Sequence, residues 1–272
     1  MGNDHPQTNT QPKEAPSTTV PPWRVPRERI IVVLPAYNEE EGLPPLLAAI
    51  DQAMHDDGLA YEVIVVDDGS KDQTYQVAEQ YSHLMPLRIH RHEKNQGLGA
   101  TVRDGLRIAV EGCGDRDIVV AMDADNTHLP GLIRRMTRRI HEGCDVVIAS
   151  RYQPGAIVRG VPWNRRVLSF GARILFQTVM PIRGVRDYTC GYRAYRGGVL
   201  KEAFRRYGDG FINQEGFQCM VDILLKLRKM DVLFGEVPLI LRYDLKGGQS
   251  KMKVLRTVWN TLKLLARRRL RP

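Results

Sequence analysis

The stretch "DIVVAMDADNTHLP", residues 117–130, decides how the chain is read. Its apolar run, Ile118 to Met122, stops at two aspartates separated by one small residue. If the run is a strand, alternate side chains share a side, so Asp123 and Asp125 project together and their charges repel. Clustered carboxylates are costly unless a cation sits between them, and Mg²⁺ is held by one or two carboxylates together with substrate phosphates. A polar turn after a strand is the competing reading of so short a motif.

The flanking sequence extends the pattern in both directions. "RIIVVLP", "YEVIVVDDGS", "LRIHRHEKN" and "CDVVIASRY" read as further strands. Between them "NEEEGLPPLLAAIDQAMHD", "KDQTYQVAEQYSHL", "GLGATVRDGLRIAVEGC" and "HLPGLIRRMTRRIHEG" carry apolar residues at helical spacing. Continuous apolar strands alternating with amphipathic helices predict an α/β fold, a mostly parallel sheet covered on both faces. Ligands of such sheets bind beyond the carboxyl ends of the strands. Glu39, Asp67, Asp68, Asp123 and Asp125 all fall at those ends, which turns the opening pair into part of a cluster. "GLG" at 97–99 is too short for a dinucleotide fingerprint, and neither a phosphate loop nor a nucleophile elbow is present. A nucleotide would have to be held by carboxylates and a metal.

Composition narrows the classes. The chain has 272 residues, 43% of them hydrophobic, enough for one large domain or two small ones. Cys113, Cys144, Cys190 and Cys219 have no paired spacing, against a zinc finger or disulfide framework and in favour of a reducing compartment. No apolar run has the length of a membrane span, and the polar, proline-rich N-terminus predicts a disordered tail over residues 1–28 instead of a signal peptide. The net charge of +9 hides an asymmetry: residues 1–150 carry 15 Lys and Arg against 23 Asp and Glu, residues 151–272 carry 25 against 8. An acidic half suits a metal and a basic half suits anions. Nucleic acid is disfavoured as the anion, because the few aromatics are not interleaved with the arginines as stacking platforms.

The ordered motifs "VVLPAYNEEEGL", "VIVVDDGSKDQT", "NQGLGATVRDGL", "AMDADNTHLP" and "IASRY" resemble family 2 glycosyltransferases of the GT-A fold, whose sheet is Rossmann-like. "SRY", "WNRRVLSFGA", "VRDYTCGYRAYR" and "LRYDLKGGQSK" extend the resemblance to polyprenyl-phosphate hexosyltransferases, over residues 30–252 in all. The resemblance implies a catalytic domain over 29–252, with a nucleotide-sugar half (29–150) and an acceptor half (151–252) bearing amphipathic helices. It implies that Pro35, Tyr37, Glu39, Val66, Asp67, Asp68, Asp123, Ala124 and Lys251 hold the sugar nucleotide. Asn38 is read as a helix N-cap. One of Asp67 and Asp68 faces the nucleotide and the other caps the next helix with Ser70, in an order left open. Asp123 and Asp125 match the DxD motif for Mg²⁺ or Mn²⁺, with Thr127 as a third ligand where many relatives have Gln. His128 is read as a turn residue, since imidazole is disfavoured by hard cations.

Arg151, Arg165 and Ser169 match residues that hold the phosphate of a lipid acceptor, and Arg165 and Ser169 share a helix face. The resemblance further implies catalytic roles for Asp125, Asp187 and Arg242, and places Arg193, Arg242, Ser250 and Lys251 near the donor phosphates and a mobile loop. The chain departs from its relatives at "FQCM", where they commonly read F-Q-x-E; Glu215 and Asp222 flank that position. The implied reaction is metal-dependent, inverting transfer of mannose or glucose, from GDP-mannose or UDP-glucose, to a polyprenyl or dolichyl phosphate. A saccharide or protein hydroxyl is the alternative acceptor, with Asp187, Glu215 or Asp222 as its base. At the C-terminus, Val254, Leu255, Val258, Trp259, Leu262 and Leu265 form one stripe, and five of the last ten residues are cationic. That pattern predicts an amphipathic helix over 253–272 lying on an anionic membrane, hence a cytoplasmic protein peripheral to the inner face.

Overall fold

The computed structural model describes residues 28–245, with the side chains of residues 164–166 excepted. The tail read over 1–28 falls outside it save for Glu28, whose carboxylate lies 2.8 Å from His141 Nε2. Ser250, Lys251 and the helix read over 253–272 also lie outside the described residues.

Nine strands and seven α-helices follow one another among the described residues. The first half alternates: β1 (Arg29–Ala36), α1 (Leu43–Asp56), β2 (Ala60–Asp67), α2 (Thr74–Ser82), β3 (Leu87–Arg91), α3 (Leu98–Gly112), β4 (Ile118–Ala121), α4 (Leu132–His141) and β5 (Val146–Ser150). The second half holds β6 (Ile157–Arg159), α5 (Trp163–Val179), β7 (Arg193–Arg196), α6 (Gly197–Tyr207), α7 (Gln218–Leu227), β8 (Phe234–Pro238) and β9 (Ile240–Arg242). Seven strands form one sheet in the order β3-β2-β1-β4-β7-β5-β8, and β6 pairs with β9 apart from it. Every pairing in the large sheet is parallel except those of β7, which runs antiparallel to both β4 and β5.

Strand periodicity explains the layering. Ile30, Val32 and Leu34 of β1 join a core with α1 residues Leu46, Leu47 and Ile50 and α4 residues Ile133, Met136 and Ile140. Ile31 and Val33 face the other way, onto Val102 and Leu106 of α3 and Leu200 of α6. Both faces of the strand are dry, which is why its sequence is a continuous apolar run without alternation. At the carboxyl ends the register is tight: Ala36 pairs with Asp67, Asp68 N donates to Ala36 O at 2.9 Å, and Met122 N donates to Val33 O at 3.1 Å. The turns after β1, β2 and β4 therefore meet at one edge.

β7 shapes the other edge. Because it is antiparallel, the chain leaves β5 and enters β7 at the same end of the sheet, and Ala149 N donates to Tyr192 O at 3.0 Å where the two meet. The whole excursion between them, including β6 and α5, therefore leaves and rejoins the sheet at the end where β1, β2 and β4 also finish.

Candidate functional site

At the carboxyl end of β1, Pro35 is the penultimate strand residue, and Tyr37, Asn38 and Glu39 follow Ala36 in a half-buried turn. Asn38 has φ +52° and does not cap α1, whose N-cap is Gly42. Its side-chain oxygen accepts Lys71 N at 2.9 Å and its N–H donates to Ser70 Oγ at 2.9 Å, so it ties the first turn to the second. The N-cap expected from sequence is replaced by a cross-loop clasp, because α1 begins at Leu43, too far along the chain for Asn38 to cap it.

Val66, Asp67 and Asp68 are buried at the end of β2. Asp67 Oδ1 accepts Ser70 N at 3.0 Å, so the turn-capping role falls to Asp67, and Arg91 Nε lies 3.1 Å from its other oxygen. Asp68 accepts Gln96 N at 2.8 Å and Gly97 N at 2.9 Å and has His92 Nδ1 at 2.8 Å. It fastens the start of α3, and "GLG" is explained by close packing there. A Cβ on Gly99 would lie 1.6 Å from Gln214 O, and Gly97 has φ +90°.

β4 ends at Ala121, so Asp123 and Asp125 sit in the turn beyond it and not on one strand face as the apolar run predicts. Asn126, at φ +59°, bends that turn. Thr127 donates to Asp125 Oδ1 from both its N–H (3.2 Å) and its hydroxyl (2.6 Å), which steadies the carboxylate while leaving the hydroxyl's lone pairs for a cation. Ala124 is buried, and its carbonyl and the Asp125 backbone stand 3.2 Å from where a Cβ on Gly42 would be. His128 is a packing residue: its ring stacks on Tyr192 with centroids 5.0 Å apart, and its Nδ1 accepts Asp123 N at 3.3 Å. The donors fit a hard divalent cation, because all are oxygens. The floor is clear as well: a Cβ at Gly191 would stand 3.3 Å from Asp123 Oδ1. β9 closes the far side, with Arg242 N donating to Thr127 O at 3.0 Å and the Arg242 guanidinium held by Asp244 at 2.9 Å.

Beyond β5, Arg151, Ser169 and Asp187 come together from the strand's end, from α5 and from the loop before β7. Asp187 is fully buried and takes Arg151 Nε at 2.7 Å, Arg151 Nη2 at 2.6 Å and the Arg151 N–H at 3.1 Å. Arg151 Nη1 reaches Ser169 Oγ at 3.5 Å, and Nη2 also donates to Thr189 Oγ1 at 2.5 Å. Burial opposes both charges, yet the pair overcomes it: Asp187 is lowered below the usual carboxylate range by Arg151, and Arg151 is raised by Asp187. Asp187 thus aims a guanidinium, and its own oxygens are covered. Arg165 lies in the first turn of α5, with its side chain outside the described residues.

The readings of Arg193 and Asp222 change. Arg193, expected near the donor phosphates, is fully buried and donates to the carbonyls of Met220 (2.7 Å) and Tyr188 (2.9 Å), pinning β7 to α7 and to the loop before it. Asp222 is buried against Lys226, whose ammonium also donates to Phe211 O at 2.9 Å. Glu215 is exposed and uses its backbone oxygen to take Gly99 N at 2.9 Å. Sequence reasoning missed Glu236 of β8, which accepts Arg186 N (2.6 Å) and Asp187 N (2.7 Å) and so supports the loop that carries Asp187. Its signal, a lone acid inside an apolar strand, was present in "FGEVP".

The comparisons identify the family. The family model described as Glycosyl transferase family 2 matches residues 31–204. The dolichol-phosphate mannosyltransferase of Pyrococcus furiosus is 34% identical over 83% of this chain, which spans 59% of that protein's length. The polyprenol monophosphomannose synthase of Mycolicibacterium smegmatis is 32% identical over 84% of this chain and 82% of its own length. The undecaprenyl-phosphate mannosyltransferase of Micrococcus luteus is 32% identical, over 82% and 87%. Among solved structures, glucosyl-3-phosphoglycerate synthase of Mycobacterium tuberculosis with Mn²⁺, UDP-glucose and phosphoglyceric acid superposes at TM-score 0.63 and 23% identity, covering 90% of this chain and 81% of that one. The same enzyme with Mg²⁺ and UDP gives 0.63 and 23%, over 88% and 79%. These structures share the GT-A fold. With the family match running from β1 into α6, and relatives 32 to 34% identical over most of the described sheet, the chain belongs to glycosyl transferase family 2.

Proposed function

We propose that the protein transfers a hexose, mannose or glucose, from a nucleoside-diphosphate sugar to a polyprenyl phosphate with inversion. The observation that carries this reading is the Asp187–Arg151–Ser169 constellation, in which a fully buried carboxylate holds a half-buried guanidinium that reaches a half-buried hydroxyl. A guanidinium fork fixed on one side by a carboxylate presents its remaining N–H groups to a phosphate in a set direction. Three relatives bear names of polyprenyl-phosphate mannosyltransferases, which supports the same acceptor.

In this reading Tyr37 and Glu39 take the base and ribose, with Asp67 and Asp68 beneath them. Asp123, Asp125 and Thr127 would hold Mg²⁺ or Mn²⁺, which when bound neutralises the diphosphate as it departs. Arg242 borders the same diphosphate, and Lys251, assigned to it by the resemblance, lies outside the described residues. Arg151, Arg165 and Ser169 orient the acceptor so that a phosphate oxygen attacks the anomeric carbon from the face opposite the diphosphate. One C–O bond forms as the other breaks, and the electron pair leaves on the nucleoside diphosphate. No base is needed, because a phosphate monoester with a second pKa of about 6 is already ionised near neutrality.

A hydroxyl acceptor would need a base. Two of its three candidates are unsuited, since Asp187 and Asp222 are buried in ion pairs with Arg151 and Lys226. Among the described residues no helix is long and apolar enough to cross a membrane. A lipid acceptor instead fits the exposed stripe on α5: Trp163 is 77%, Val167 61%, Phe170 52% and Ile174 49% exposed, at helical spacing on one face. Such a stripe beside Ser169 suits the surface of an anionic bilayer.

The test is incubation of the purified chain with dolichyl or undecaprenyl phosphate and radiolabelled GDP-mannose or UDP-glucose. An organic-extractable labelled lipid that is absent with Asp125→Asn is expected. Label appearing only on hydroxyl acceptors would overturn the reading.

A further inference from the structure

Among the described residues one cluster of three potential metal ligands stands apart from the DxD turn: His90, His92 and Asp104. Their donor atoms lie within 4.8 Å of one another. We propose that these residues form a second metal site, specific for a borderline transition ion of the zinc class, which staples the end of β3 to α3 beneath the nucleotide pocket.

Four observations carry the assignment. First, His90 and His92 are two apart at the end of the edge strand β3, so their rings share one side and meet edge to face with centroids 5.3 Å apart. Second, His92 Nε2 stands 3.2 Å from Asp104 Oδ2. Two ligands about 2.0–2.1 Å from one tetrahedral Zn²⁺ are roughly 3.3 Å apart, so that pair already has the spacing of a coordination edge. Closing the widest pair asks for about 1.5 Å of movement, within reach of a ring rotation at His90, which is open to solvent.

Third, the opposite nitrogen of His92 lies 2.8 Å from Asp68 Oδ1, in a ring that is 4% exposed. A carboxylate behind the ring accepts the Nδ1–H of the tautomer whose Nε2 can bind a metal, the arrangement usual around ligating histidines. Fourth, Asp104 is held in place by the neighbouring Arg103. Arg103 Nε and Nη2 lie 2.8 and 3.0 Å from that carboxylate, and the partly exposed Arg103 side chain can turn to solvent as a cation enters.

The ligand chemistry separates this site from the DxD turn. Two imidazoles and one carboxylate select zinc-like ions, whereas the all-oxygen turn at 123–127 selects Mg²⁺ or Mn²⁺. Through Asp68 the ion would fix the N–H groups of Gln96 and Gly97, and with them the glycine turn that packs on Gln214 and Glu215.

The experiment titrates the full chain with Co²⁺ in excess Mg²⁺, following the visible absorption of tetrahedral cobalt, and then displaces it with Zn²⁺. One equivalent of each is expected. His90→Ala and Asp104→Asn should each weaken binding at least tenfold, while an Asp123→Asn/Asp125→Asn double variant should titrate as wild type does. Circular dichroism and melting of the His90→Ala protein, altered only on an exposed edge, check that the fold persists. Absence of a saturable cobalt band would leave His92 as a ring bridging two carboxylates with no metal role, and would overturn the proposal. So would a band lost in the double variant or in Cys144→Ser and kept in His90→Ala.

Discussion

Arg151 has one bidentate partner, Asp187, and two hydroxyl neighbours, Ser169 and Thr189. A lysine placed there would keep the charge but could not bond Asp187 bidentately and still point a donor at Ser169. Arg151→Lys is therefore expected to raise the KM for polyprenyl phosphate about tenfold to a hundredfold, the loss of one or two charge-assisted hydrogen bonds, with the KM for the sugar nucleotide within about twofold. Steady-state kinetics with each substrate varied in turn checks it, and equal effects on both would place Arg151 outside the acceptor site. The residue types at this site were legible in the sequence. What was not legible is which groups face a ligand and which face each other. Asp187 reads as an acceptor contact until its burial shows both oxygens covered, and Arg193 reads as a phosphate contact until its guanidinium is found on the Met220 and Tyr188 carbonyls.

At the scale of the element, α5 exposes large apolar groups on one face while Phe176 is buried on another. Trp163→Ser with Phe170→Ser is expected to lower binding to anionic vesicles several-fold, since each removes exposed apolar area, and to leave the melting temperature within about 2 °C, since neither side chain is in the core. Vesicle sedimentation and thermal melting read the two effects separately. A drop in melting temperature without a change in sedimentation would show that the stripe packs on protein. The apolar strands and their helices were readable because a run such as "RIIVVLP" has no other stable home than a two-sided core. β7 was not readable: "RAYR" is bounded by arginines, and only the sheet's interior reveals that one of them is buried. α7 hid itself in the opposite way, because Asp222 and Lys226, four apart, have the spacing of a surface pair and are buried together.

For the molecule as a whole, acid sensitivity follows from Asp187. Its folded carboxyl is held below the ordinary value despite burial, so the unfolded chain binds its proton first as pH falls. The stabilisation it provides is complete well above the unfolded pKa of about 3.9 and is lost as pH drops through the lower folded value. Asp187→Asn is expected to cost roughly 3–5 kcal/mol at pH 7, since it leaves the Arg151 charge without its carboxylate, and to flatten the dependence of stability on pH below about 4. Urea unfolding from pH 7 to pH 3 measures both, and an unchanged slope would remove Asp187 as the cause.

The reversed strand β7 has a consequence for how members of this architecture diversify. Residues 151 to 192 depart from the sheet and return to it at adjacent points, the junction fastened by the bond from Ala149 N to Tyr192 O. A segment with neighbouring ends behaves as a cassette. Its exposed turns can vary in length while β1, β2 and β4 keep their register, whereas Phe176, Tyr188 and Tyr192 within it are held to the same core as β1 and fix how the insert is seated.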